Sequence, residues 1–184
     1  MNKMRLADEV KDIPEKGIYT LLIHVPTERE VEIGSLGVKR LKDGYYLYTG
    51  SALGKGALSL RGRIRRHMGE RKRLRWHIDY LLSEGDVKVI GVIAAETDER
   101  LECKINQALK AGMKTAIPIP GFGSSDCRAG CESHLLYLEW MSGDVDPLLR
   151  RVVEVYIDEA GGRVFALRLD SRSEIEIRVS PSNS

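Results

Sequence analysis

The chain has 184 residues, 42% of them hydrophobic and 30% charged, with a formal net charge of +2. That is an ordinary globular balance, long enough for one medium domain or one domain with an appendage, and the charge is too small to name a partner. No apolar run approaches the roughly 20 residues that span a bilayer, so no spanning helix is predicted and no membrane partner is expected.

The first stretch, MNKMRLADEVKDIPEK, has no apolar h-region of a secretory signal. Three cysteines, an odd count without evenly spaced pairs, argue for a reducing interior. The expected location is cytoplasmic.

Residues 1–16 form a polar lead-in. From Gly17 the run GIYTLLIHV reads as a strand stopped by Pro26, and EVEIG (30–34) as a second; GSLGVKRLKDG is turn-rich. YYLYTG (45–50) is aromatic and β-favouring. Leu60, Ile64 and Met68 have helical spacing within 57–68, and WHIDYLL (76–82) reads as a second helix. VKVIGVIAA (87–95), apolar on both faces, predicts a central strand. Thr97 then reads as an N-cap for a helix ended by Gly112. Residues 117–134, IPIPGFGSSDCRAGCESH, form a long Pro/Gly/Ser loop, and HLLYLEW is extended again. Beyond GDVDP, the segments VVEVYI, RVFALRL and EIEIRV alternate with AGG and DSRS turns and predict a three-stranded meander. The expected organisation is thus an α/β (α+β) domain over 17–142, with a small antiparallel or mixed sheet flanked by helices. A β-meander over 148–180 and a tail at 181–184 follow. A meander of this length is too small for a core of its own and should pack on the main domain or a partner.

The positive charge is local. Between Arg61 and Arg75 eight basic residues stand against one acid, Glu70. Arg61, Arg65, Arg66, Arg71, Lys72, Arg73 and Arg75, with His77 just beyond, suit a phosphate backbone, since each neutralised phosphate releases counterions. A solvated helix face is the alternative. Trp76 reads as core, with base stacking the alternative.

Order and spacing say more. Gly17-Ile18-Tyr19 opens one strand, Tyr48-Thr49-Gly50 closes another, and a helix follows with Arg63 and His67 on one face. Glu102 lies in a later helix. Taken in order, GIY, YTGSALGKGALSLRGRIRRH and the later glutamate resemble the GIY-YIG nuclease superfamily. A narrower likeness covers about residues 17–140: YYLYTGSALGKG, RIRRH, WHIDYLL, GFGSSDC and SHLLY follow the order seen in the DUF123 family. That family is a GIY-YIG-related group whose members are sometimes fused to an endonuclease III-type glycosylase.

The resemblance implies catalytic positions at Tyr19, Tyr48, Arg63 and His67, and one divalent ion, Mg²⁺ or Mn²⁺, on Glu102. Glu96 and Glu99 are nearby alternatives to Glu102. Arg63 would clamp the phosphate, and a tyrosine would act as base or position the water. A phenol ionises at about pH 10, so Arg63 and the ion would have to lower that value. Strand tyrosines are also commonly half-buried packing residues.

The loop at 117–134 admits three readings. Cys127, Cys131 and His134, with Cys103 as a further ligand, form a structural Zn²⁺ site. Alternatively Cys127 is a small buried residue and Cys131 is incidental. In the third reading Gly121, Gly123, Ser124 and Ser125 cradle a phosphate. The leading expectation is a metal-dependent endonuclease acting on DNA, on branched or damaged substrates, with repair suggested by the fusions of relatives. The alternatives are a non-catalytic nucleic-acid-binding module, and an interaction protein that forms a homodimer through the meander.

Overall fold

The apolar run from Gly17 becomes an inner strand because both its faces are covered. In the computed structural model, which describes residues 13–69, 73–140 and 143–169, β1 (Gly17–Val25) pairs antiparallel with β4 (Gly44–Ala52) on one side. On its other side lies β5 (Lys88–Glu96), also antiparallel. β4 pairs with β7 (Leu135–Leu138), β7 with the short β6 (Thr115–Ala116), and β5 with β8 (Val164–Arg168). The six-stranded sheet runs β6-β7-β4-β1-β5-β8, with every pairing antiparallel. A separate hairpin joins β2 (Arg29–Glu32) to β3 (Val38–Leu41); the latter forms within the segment read as turns.

Side-chain alternation divides the core in two. Tyr19, Leu21, Ile23, Tyr46 and Tyr48 join Leu60 and Ile64 of α1 (Leu60–Met68) and Ile78 and Leu81 of α2 (His77–Leu81). On the opposite face Ile18, Leu22 and Leu47 meet α3 (Glu102–Gly112) and α4 (Asp146–Ala160) through Ile105, Leu109, Leu148, Val152 and Tyr156. Thr20 and Thr49, paired across β1 and β4, point to this second face. There the Thr20 hydroxyl lies 3.0 Å from that of Thr49 and 2.8 Å from the Tyr156 hydroxyl, so the buried polar groups satisfy one another.

Two further expectations change. VVEVYI is helical, not the first strand of a meander: Leu148, Leu149, Val152, Val153, Val155 and Tyr156 are buried at helical spacing. Pro147 near the start and Gly161, left-handed at φ 64°, bound that helix. RVFALRL supplies β8 at the edge of the main sheet, bonded to β5. EIEIRV (174–179), the tail and most of the lead-in lie outside the described residues. The other change is at Thr97. Its hydroxyl accepts the Glu99 amide at 3.0 Å in a local turn, and α3 starts five residues later at Glu102. Among the described residues no helix is long and apolar enough to cross a membrane.

Candidate active cleft and metal-ligand cluster

The motif glycine Gly50 stands opposite Tyr19 in the β1–β4 register. A Cβ there would lie 2.9 Å from the Tyr19 hydroxyl and 3.0 Å from Cζ, so only glycine leaves the ring its place. Tyr19 and Tyr48, two strands' contributions to one face, have ring centroids 6.4 Å apart and are nearly or fully buried. The Tyr19 hydroxyl lies 2.8 Å from Nε2 of buried His67 on α1.

α1 starts at Ser59, whose hydroxyl accepts the Gly62 amide at 3.1 Å. Leu60, Ile64 and His67 face inward from it. Arg63, one turn before His67, has its guanidinium 4.6 Å from the centre of the Trp76 ring; Arg66 and Arg75 lie 4.2 and 5.4 Å from the same centre. Trp76 is half-buried and serves as the platform that orders these cations. Fully buried Asp79 locks the turn, accepting the amides of Trp76 at 2.8 Å and Arg75 at 3.0 Å and pairing with Arg66.

These elements, with the N-terminal end of α3 and the 117–134 loop, enclose a cleft of about 540 Å³. Tyr19, Tyr48, Arg63 and Glu102 all line it, as do Arg75 and His77. Glu96 and Glu99 are exposed and lie outside its lining. One Glu102 oxygen, Oε2, is buried with no hydrogen-bond partner among the described residues. An orphaned carboxylate oxygen in a cleft is a fit donor for a hard divalent cation.

Arg63 pulls both phenols in the expected direction, but burial works against it. Burial raises Tyr19 to about 12, outweighing the opposing pull of Arg63. Tyr48 is pushed well above its ordinary value, first by burial and then by Tyr19. Arg63 alone therefore does not create a phenolate. Burial also lowers His77, whose Nδ1 accepts the Gly123 amide at 3.1 Å as a neutral imidazole must. Gly123 is left-handed at φ 69°, and a Cβ on it would stand 3.0 Å from the Tyr48 ring.

The basic stripe divides. Arg61 donates to the Ile13 carbonyl at 2.8 and 3.1 Å and pairs with Glu15, tethering the chain before β1. Arg66 is committed to Asp79 and the Arg73 carbonyl. Arg65 and Arg73 are exposed, outside the cleft lining. Arg71 and Lys72 lie outside the described residues.

Beside the cleft, Cys103, Cys127, Cys131 and His134 bring their donor atoms within 4.8 Å of one another, a cluster able to hold a metal ion. Cys103 Sγ lies 3.2 Å from Cys127 Sγ and 3.7 Å from His134 Nε2, and all three thiols are free of disulfides. Cys103 directly follows Glu102, and His134 lines the cleft as well as joining the cluster.

The model of the family described as "Domain of unknown function DUF123" matches residues 18–155. The chain belongs to the DUF123 family. No curated protein and no solved structure matches it. The match extends past residue 140 into α4, in keeping with a helix that packs on the sheet.

The cleft of this DUF123 domain holds two further charged groups, Arg100 and Asp126, that no sequence pattern marks. Arg100 precedes α3 and Asp126 lies in the long loop, so neither belongs to a periodic pattern. Asn106, buried one turn after Glu102, donates to the Ser133 carbonyl at 2.8 Å and ties α3 to that loop.

Proposed function

We propose that this cleft hydrolyses DNA phosphodiester bonds with one divalent cation, Mg²⁺ or Mn²⁺, held by Glu102. One observation carries the reading: Tyr19, Tyr48, Arg63 and Glu102, from β1, β4, α1 and α3, line the same cleft. Arg63, Arg75 and Arg100 give it three guanidinium groups for a polyanion. Arg63, stacked on Trp76, presents its donor fork to the non-bridging phosphate oxygens. The 2.8 Å contact with His67 gives the Tyr19 proton an acceptor, so the phenol can take a proton from an attacking water as it passes its own to Nε2. The cation, when bound, supplies positive charge against the phosphate and helps the phenol ionise.

The test uses supercoiled, flap and junction DNA with Mg²⁺ or Mn²⁺. Cleavage is expected, and Arg63→Ala or Glu102→Gln should each lower its rate by about a hundredfold or more. One observation favours a second reading, a binding module without cleavage: burial holds Tyr19 at about 12, far from a base at neutral pH. Salt-dependent DNA binding with no cutting by the metal-loaded wild type would select that module. Absence of any salt-dependent binding would sink both readings.

A further inference from the structure

We propose that Cys103, Cys127, Cys131 and His134 form a closed structural Zn²⁺ site that fixes the wall of the cleft carrying Glu102. Three sulfurs and one imidazole are a complete tetrahedral donor set of the type that structural zinc takes. A tetrahedron with Zn–S bonds of about 2.3 Å has edges of about 3.8 Å, slightly shorter where one donor is nitrogen. The Cys103–His134 separation of 3.7 Å meets that dimension, and the Cys103–Cys127 separation of 3.2 Å needs only a small spreading. All donor atoms already lie within 4.8 Å of one another. The donors are soft, which favours zinc over Mg²⁺ or Mn²⁺ and separates this site chemically from the lone carboxylate at Glu102.

Three segments meet at these donors. Cys103 is in the first turn of α3, Cys127 and Cys131 belong to the long loop, and His134 precedes β7. The loop's other ties to the fold are the Gly123 amide to His77 Nδ1 at 3.1 Å, Lys110 to Glu132 at 2.7 Å, Asn106 to the Ser133 carbonyl at 2.8 Å, the Thr49 amide to the His134 carbonyl at 3.0 Å, and buried Ile119 and Phe122; apart from the Thr49 bond none of them passes through the cluster's donor residues. A metal here closes a cross-link from α3 through the loop to β7. Because Cys103 follows Glu102 directly, the cross-link sets where that carboxylate stands. The site holds whether or not the cleft cuts DNA.

The test takes the full chain, purified under reducing conditions without added chelator, and measures metal by elemental mass spectrometry. About one zinc per chain is expected, as is a tetrahedral thiolate spectrum when Co²⁺ replaces it. In competition with a chromophoric chelator, Cys127→Ser and Cys131→Ser should weaken zinc binding by more than the roughly tenfold to hundredfold typical of losing an outer partner. Glu102→Gln should leave zinc binding unchanged. The Co²⁺ spectrum of the wild type decides the matter even if the cysteine variants fail to fold. Folded protein that takes up no zinc from solution and gives no thiolate–cobalt bands would overturn the proposal. So would a Cys103–Cys127 disulfide as the stable state of the freshly purified protein.

Discussion

Gly50→Ala isolates the packing that holds the cleft's central phenol. The new methyl would sit 2.9 Å from the Tyr19 hydroxyl, 3.0 Å from Cζ and 3.3 Å from Cε1, where about 3.4 Å or more is comfortable. The ring must therefore move by several tenths of an ångström, yet its far end is fastened to His67 at 2.8 Å. Overpacking a core typically costs about 1–3 kcal/mol, and parting a buried hydrogen-bonded pair about another 1–3. Against this, alanine in a strand interior gains roughly 0.5–1 kcal/mol over glycine. The expected net loss is about 2–4 kcal/mol in urea unfolding at neutral pH. Tyr19→Phe removes the closest clashing atom, so Gly50→Ala should cost about 1 kcal/mol less on that background than on the wild type. Equal or higher stability of Gly50→Ala, or strict additivity of the two changes, would refute the assignment of Gly50 as the space for Tyr19.

Four further outcomes are expected. The salt slope of DNA binding, read as log K against log salt, should fall by about one for Arg75→Ala but stay unchanged for Arg61→Ala and Arg66→Ala, which are engaged within the fold. Asp79→Ala should destabilise by about 2–4 kcal/mol in denaturant unfolding, since it strips two amides and Arg66 of their acceptor while Arg66 keeps some solvent. Tyr19, Tyr46, Tyr48 and Tyr156 all have raised folded values, chiefly through burial. The fold therefore favours the neutral phenols: stability is intact below about pH 10 and declines as pH climbs toward 12, and tyrosinate absorbance from these four should appear only with loss of near-ultraviolet dichroism. Gly123→Ala should lower stability and disturb Tyr48 fluorescence, through left-handed strain and the 3.0 Å approach to the ring.

Much of the fold was legible because β1 and β5 are covered on both faces and spell that out as continuous apolar runs. α1 was legible from Leu60 and Ile64, while its meeting with the tyrosines was only what the family resemblance implied. VVEVYI misled because Val153 and Val155 satisfy strand alternation as well as the helical stripe. The deciding signals lay outside the segment, in Leu148 and Leu149 upstream and Gly161 downstream. The cleft's charges were only partly legible. Arg61 and Arg63 look alike in sequence, and only tertiary contacts send one to the Ile13 carbonyl and the other to Trp76. Cys103 stands 24 residues before Cys127 on a different element, so spacing within the loop displayed only three of the cluster's four donors.

The paired threonines have a consequence for folding fidelity. Slipping β1 against β4 by one residue would turn Tyr19 and its neighbours to the opposite side of the sheet. The tyrosine face would then lose its partner in His67, and the far side would lose the hydroxyl that meets Tyr156. Two independent polar contacts, one on each side of the same pair of strands, thus proofread a single alignment. A chain that pairs these strands wrongly forfeits both at once, which sets misaligned forms apart from the native one by two buried contacts rather than one.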